Sequence, residues 1–264
     1  MKILLVGYGY WGKIWEKTIK NSEHELYDII DPFVFNNNIE TVDFDAFDSV
    51  VICSSIDTHL ELSEYCINNN KNVLIEKPCT HNLNDIKRLN NIKTTKNIGV
   101  GYVLLYCSAI QNIKHSNLQW KNVFFNRSNG STQIRKDCNV AYDLLCHDLS
   151  IAYYLFNVIP TVLYCNKTND SIFCILNFDD VKCHFYCSRI DTKKQSNCLF
   201  VNDETTYSYD DIAKELIIHK KGEYKKILYD EYPLSNQLRY METKFISDLH
   251  FGENVHKILS LILN

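Results

Sequence analysis

Lys2-Ile3-Leu4-Leu5-Val6-Gly7-Tyr8-Gly9-Tyr10-Trp11-Gly12 carries five residues of strand character straight into three glycines. The chain of 264 residues has only 8 glycines, so three within six positions mark a place where the backbone needs unusual freedom. A G-x-G-x-x-G pattern alone is a weak signal, but at a strand-to-helix junction it has a mechanism. Gly7 can make the tight turn, Gly9 can let a pyrophosphate approach the backbone, and Gly12 can let helix and strand pack closely. Unpaired N–H groups at the start of the next helix, expected over residues 11–20, then point at an anion.

The surrounding sequence supplies the context that the glycines need. Runs at 2–6, 26–30, 49–53, 72–75 and 97–100 are short, apolar and rich in β-branched residues, which predicts strands. Stretches 11–20, 59–67 and 82–91 repeat apolar residues every three or four positions, which predicts crossover helices. Alternating strands and helices imply a parallel sheet. Asp31 falls at the end of the second strand, 19 residues after Gly12. A carboxylate there can accept hydrogen bonds from an adenosine ribose and repels a 2′-phosphate, so the expected cofactor is NAD, with NADP as the alternative. Asp31-Pro32 is also a common turn-forming pair, and both readings stand at this point.

After Tyr102 the pattern changes. A helix is expected to residue 115, a strand over 119–126 and a long helix over 140–156. Runs at 161–166, 171–178, 181–187 and 198–202, separated by Asn-Asp and Asp-Asp turn signals, predict an antiparallel sheet reaching to about residue 219. One or two helices over 232–263 close the chain. The expected fold class is α/β: an N-terminal Rossmann parallel sheet, residues 1–115, plus a C-terminal α+β domain with a mostly antiparallel open sheet, residues 116–264.

A composition of 45% hydrophobic and 23% charged residues excludes a disordered or fibrous chain. A net charge of -4 gives no global attraction to nucleic acid or anionic lipid, so neither partner is expected. The 11 cysteines are odd in number, scattered, and without a Cys-x-x-Cys pair, which favours reduced thiols and no metal site. Cys138 with Cys146-His147, and Cys183-His184 with Cys187, lack the paired spacing of structural zinc. No apolar run approaches the ~18 residues of a membrane helix. With no charged n-region and apolar h-region at the start, the expected location is cytoplasmic.

Three ionisable residues stand out. Lys77, in Glu76-Lys77-Pro78, follows the fourth strand and so is expected at a strand's carboxyl end, where open α/β sheets place their ligands. A fixed ammonium there can hold a substrate hydroxyl and stabilise charge developing on its oxygen. The plain alternative is a surface lysine in a turn. Asp143 and His147 are four apart within a predicted helix and would share a face, whereas Asp148 is rotated about 100° from His147. A carboxylate bonded to one imidazole nitrogen fixes the tautomer and leaves the other to exchange a proton. An ordinary surface Asp/His pair is the alternative. Ser54 and Ser55, with Thr58 and His59, follow the third strand and could line a nicotinamide or ribose; a helix N-cap by Ser55, Asp57 or Thr58 is equally open.

Together, Gly7 to Gly12, Glu76-Lys77-Pro78, Gly101-Tyr102 and Asp143-x-x-x-His147 resemble the glucose-fructose oxidoreductase / inositol dehydrogenase / rhizopine catabolism (Gfo/Idh/MocA) family over nearly the whole chain. Residues 100–110, Arg127-Ser128-Asn129, Arg135-Lys136-Asp137 and 142–151 look most like its nucleotide-sugar branch, which includes UDP-N-acetylglucosamine-derived uronate 3-dehydrogenases and 3-ketosugar reductases. The resemblance implies hydride transfer between NAD(P) and a secondary alcohol or ketone of a sugar, with Lys77 binding substrate and tuning the proton donor. His147 is then the acid/base, and Asp143 supports the substrate or His147. Trp11, Ser54, His59 and Glu76 match positions around the cofactor, joining Gly7, Tyr8, Gly9, Tyr10, Gly12, Asp31 and Ser55. The resemblance further implies a cis Lys77–Pro78 peptide and a second domain that binds substrate and, through its open sheet, forms a homo-oligomer, a dimer or tetramer. Tyr102 and Cys107 stand where the nucleotide-sugar branch often has histidines, and Asn139-Val140-Ala141 replaces its usual small residues. The competing expectations are a non-catalytic dinucleotide or sugar sensor and an imine or linear-tetrapyrrole reductase, which would not need the Asp143/His147 pair.

Overall fold

A computed structural model describes residues 1–130 and 138–264. Arg135-Lys136-Asp137, quoted above for the nucleotide-sugar resemblance, lies outside the described residues. The chain forms two compact units: Met1–Tyr106 with Tyr232–His256, and Cys107–Glu231 with Lys257–Asn264. A single cut after residue 115 does not describe this division. The helix expected up to residue 115 is interrupted, with a 3₁₀ turn at Val103–Tyr106 ahead of the helix proper. The returning C-terminal segment joins the first unit because its backbone is tied there. The Tyr106 hydroxyl oxygen accepts the N–H groups of Ile246 and Ser247, at 3.1 and 3.3 Å, and Ser247 Oγ donates to the Val100 carbonyl at 2.6 Å.

In the first unit, β1 (Lys2–Val6), β2 (Glu25–Ile30), β3 (Ser49–Ile52), β4 (Asn72–Ile75) and β5 (Ile98–Val100) pair in parallel in the order β2-β1-β3-β4-β5. Their crossovers carry α1 (Tyr10–Lys20), α2 (Ile56–Asn68) and α3 (Leu83–Asn90), as the apolar spacing predicts. The strands β1, β3 and β4 are buried at almost every residue, which is why they read as unbroken apolar runs rather than alternating ones. Because β1 lies between β2 and β3, successive crossovers leave it in opposite directions and open a crevice at the carboxyl ends of these strands.

The second unit begins with α4 (Ser108–His115) and is built on an eight-stranded sheet. Its strands are β6 (Asn122–Ser128), β7 (Thr161–Lys167), β8 (Ser171–Phe178), β9 (Val181–Ser188), β10 (Gln195–Val201), β11 (Thr205–Asp210), β12 (Glu215–Lys220) and β13 (Glu223–Leu228). They run in the order β13-β12-β11-β10-β6-β9-β8-β7, with β6 and β9 parallel and every other pair antiparallel. The sheet therefore extends past residue 219, where the expectation ended it. Alternate residues bury one face: Val123 and Phe125 on β6, Cys183, Phe185 and Cys187 on β9, and Ile172, Cys174 and Leu176 on β8. Phe125 and Phe185 stack across the parallel pair at 4.8 Å.

The helix expected over 140–156 is not uniform. Ala141–Leu145 forms a π turn, and the regular helix α5 (Cys146–Phe156) starts only after it. The chain closes with α6 (Pro233–Arg239) and α7 (Leu249–Leu263). All eleven cysteines are free thiols, and burial pushes Cys66 and Cys174 up to about 12, out of the reactive range. Among the described residues, no helix is long and apolar enough to cross a membrane, and no group of three or more His, Cys, Asp or Glu side chains could hold a metal ion.

Candidate dinucleotide site and acid/base residues

The glycine loop is held in the shape that a phosphate-binding turn requires. Gly7 has φ +95°, and a Cβ there would strike the Ser54 backbone; a Cβ on Gly12 would strike the Gly7 carbonyl. Around Gly9 there is open space, with nothing within 4 Å of an added Cβ. Gly9 is also the N-cap of α1, where no side chain caps the helix and no acidic residue sits in the first turn. The first N–H groups of α1 are thus left to an anion arriving beside Gly9.

Beside this loop a cavity of about 660 Å³ opens at the carboxyl ends of β1, β2 and β3. Gly7, Tyr8 and Gly9 form one wall, Asp31 and Phe33 another, and Ser54 and Ser55 a third. The volume lies within the range of small-molecule sites. Asp31, Glu40 and Glu61 line it, together with apolar Ile39 and Leu62, and among the described residues no Lys or Arg does. That composition suits the adenosine half of NAD and disfavours a second phosphate on its ribose.

Asp31 builds the turn that its Asp-Pro pair suggested, and it lines the cavity. Its Oδ1 accepts the N–H groups of Phe33 and Val34, at 3.0 and 3.2 Å, and so builds the turn after β2. Its Oδ2 accepts the Tyr8 N–H at 2.7 Å, which ties that turn to the glycine loop. A carboxylate offers about four lone-pair directions, so capacity for a ribose hydroxyl remains.

The other cofactor-shell residues divide. Ser54 and Ser55 line the cavity, but Ser55 makes no side-chain cap; its carbonyl accepts the Thr58 hydroxyl at 2.8 Å, while Ser54 and Thr58 share a 2.7 Å hydroxyl contact. Tyr10 is 78% exposed and packs edge-on against Trp11. Trp11, His59 and Glu76 stand outside the cavity wall. Glu76 is buried and accepts the Trp15 indole N–H at 2.7 Å. His59 is buried with both ring nitrogens against backbone carbonyls. Lys77 sits half-buried just past the end of β4, as expected, and its peptide bond to Pro78 is cis.

In the second unit, His147 is half-buried on the first turn of α5. Asp143 is buried in the π turn, so the backbone changes from π to α geometry between the two. The Asp143 carboxylate lies 3.9 Å from the Arg189 guanidinium. Arg189 also donates to the carbonyls of Cys138 and Asn169 and to the Asp170 carboxylate, each at 2.9 Å. Asp148 turns away, as expected, and receives a two-pronged bond from Arg127, whose Nη2 and Nε lie 2.7 and 3.1 Å from it. The sequence reading did not find Arg189. A cationic residue directly after a core strand was the available signal.

A parallel sheet ordered around β1, a glycine turn on an uncapped helix and an acid-lined cavity beside it define an NAD-binding oxidoreductase of Rossmann type. Residues 13–104 match the family model GFO_IDH_MocA, described as "Oxidoreductase family, NAD-binding Rossmann fold". No curated protein matches the sequence. Among solved structures, the fold is similar to UDP-N-acetylglucosamine 3-dehydrogenase GnnA from Acidithiobacillus ferrooxidans, at TM-score 0.85 and 16% identity, covering 100% of this chain and 96% of that one. It is also similar to the dehydrogenase MviM from Clostridium difficile, at TM-score 0.85 and 15% identity, covering 100% and 99%. An oxidoreductase from Agrobacterium radiobacter in complex with NAD+, L-tartaric acid and magnesium gives TM-score 0.79 at 14% identity, covering 98% and 94%.

Proposed function

We propose that the protein transfers hydride between NAD and a secondary alcohol or ketone of a sugar, most specifically a nucleotide-linked sugar. The observation that carries this reading is the cavity of about 660 Å³ flanked by Gly9 and Asp31 on the same sheet whose β4 leads into the turn bearing Lys77. The fold shared with UDP-N-acetylglucosamine 3-dehydrogenase GnnA supports the substrate class. The bound nicotinamide accepts or donates the hydride. The chain's own groups do the rest. Asp31 and the α1 terminus hold the dinucleotide by its ribose and pyrophosphate. The Lys77 ammonium holds the reacting oxygen and stabilises its developing negative charge. His147 takes the hydroxyl proton in oxidation and returns it in reduction, while Asp143 supports the substrate or His147.

Absorbance at 340 nm with UDP- and dTDP-linked sugars and their keto forms, each paired with NAD and with NADP, tests the reading. A signal is expected with at least one nucleotide sugar, and NAD is expected to be the better cofactor. Silence across the panel, with NADH still bound, would favour the sensor.

The outer face of the eight-stranded sheet is proposed as the contact with a second copy of the chain, in a cell's cytoplasm. Phe124 stacks on His184 at 4.4 Å, and Phe124 and Phe173 are 42% and 41% exposed, so an aromatic stripe crosses the sheet in solvent. Phe124→Asp is expected to leave a monomer in light scattering where the parent chain is a dimer or tetramer; an unchanged mass would remove this face from the interface.

A further inference from the structure

The loop that follows β4 is gripped at alternate residues by side chains from three helices. From α1, the Trp15 indole N–H donates to Glu76 Oε1 at 2.7 Å. From α2, His59 places Nδ1 at 3.0 Å from the Pro78 carbonyl oxygen. From α7, His256 places Nε2 at 3.2 Å from the Thr80 carbonyl oxygen, and Nδ1 at 3.0 Å from that of Gly252. Trp15, His59 and His256 are all at most 2% exposed. Residues 76, 78 and 80 are therefore fixed from inside the unit, while Lys77, between the first two, is only half-buried.

His59 differs from the other two because its second nitrogen reaches a different loop. Its Nε2 lies 3.1 Å from the carbonyl oxygen of Ser54, a residue of the cavity wall. One ring thus spans the loop after β3, which lines the dinucleotide cavity, and the loop after β4, which carries Lys77. These strands are neighbours, and their extensions are otherwise joined by the Glu76 N–H donating to the Ile52 carbonyl at 2.8 Å.

We propose that His59 is a positioning residue that sets Lys77 in register with the cofactor wall at Ser54. The inference rests on the reading of Lys77 as the group that polarises the substrate oxygen. Reactions of this kind need the polarising group, the substrate and the cofactor aligned closely, and a displacement of about 1 Å can cost about 10²-fold. An imidazole suits the task because it is rigid and carries two ring nitrogens on opposite edges: as the imidazolium it donates to both carbonyls, and as the neutral ring it donates to one while packing against the other.

His59→Leu removes these contacts from the Pro78 and Ser54 carbonyls, the first of them buried, so His59→Asn and His59→Gln, each able to reach one carbonyl, accompany it. In His59→Leu, kcat is expected to fall about 10- to 100-fold. NADH affinity, read by nicotinamide fluorescence, should change by less than about threefold, because the cavity wall itself is kept. The amide variants should recover part of kcat. A second readout needs no turnover: the rate of Lys77 acylation by an amine reagent, followed by mass spectrometry in the cofactor-free protein, should differ between His59→Leu and the parent chain. Lys77→Ala separates the two levels of the claim. If Lys77→Ala retains turnover, the polarising role of Lys77 is wrong. If Lys77→Ala is inactive but soluble His59 variants keep the parental kcat and Lys77 acylation rate, His59 is a packing residue and the positioning role is overturned.

Discussion

In His147→Ala, turnover is expected to fall by about 10² to 10⁴, the usual worth of a positioned general acid/base, while NADH binding stays close to that of the parent chain. The two effects separate because the groups belong to different units. Every described residue lining the dinucleotide cavity lies in the first unit, whereas His147 lies on α5 in the second. Stopped-flow absorbance at 340 nm and NADH fluorescence on the same preparation measure both quantities. The loss should shrink at high pH in the oxidative direction, where hydroxide substitutes for the missing base. Parental turnover in His147→Ala would remove the acid/base assignment. A parallel loss of NADH binding would mean that the substitution disturbs the fold rather than the chemistry.

The parts of this protein that are legible in sequence are those governed by local backbone demands. Gly7 and Gly12 announce their turn because a Cβ at either would strike backbone, and β1, β3 and β4 announce their burial by unbroken apolar runs. What the sequence hides depends on partners far along the chain. Asp143 and His147 read as a helical pair because a spacing of four fits an α-helix; the π turn at Ala141–Leu145 and the Arg189 guanidinium 3.9 Å from Asp143, 46 positions away, leave no such mark in the sequence. β13 gives no signal because its residues Glu223–Leu228 are almost all exposed and its Tyr224, Ile227 and Leu228 do not alternate with polar residues. The resemblance places Glu76 and His59 around the cofactor; in the fold Glu76 accepts the Trp15 indole N–H and His59 sets its ring nitrogens against backbone carbonyls, contacts that no residue type at those positions announces. Arg127 is intermediate: it shares the i, i+2, i+4 parity of Val123 and Phe125 and therefore had to point into the core, but nothing in that pattern names its partner.

That partner, Asp148, gives the largest stability effect expected of a single substitution. The Arg127 and Asp148 side chains are 12% and 4% exposed and joined by two-pronged hydrogen bonds, so each neutralises a charge the core would not otherwise tolerate. Asp148→Ala strands the guanidinium and is expected to cost about 3–5 kcal/mol. For a chain of this size, that lowers the thermal midpoint by roughly 10 °C, measurable by calorimetry or circular dichroism. Asp148→Asn should cost less, because the amide oxygen still accepts one guanidinium bond. The double variant Arg127→Met, Asp148→Leu removes both charges and fills the same space, so it should regain most of the lost stability. Because Asp148 directly follows His147 on α5, the double variant also asks whether an apolar anchor holds the helix as well as an ionic one. Restored melting with depressed turnover would show that the ion pair fixes the orientation of the first turn of α5. Equal destabilisation in Asp148→Ala and the double variant would instead assign the stability to the shape of the side chains, and the buried charges would then be incidental to it.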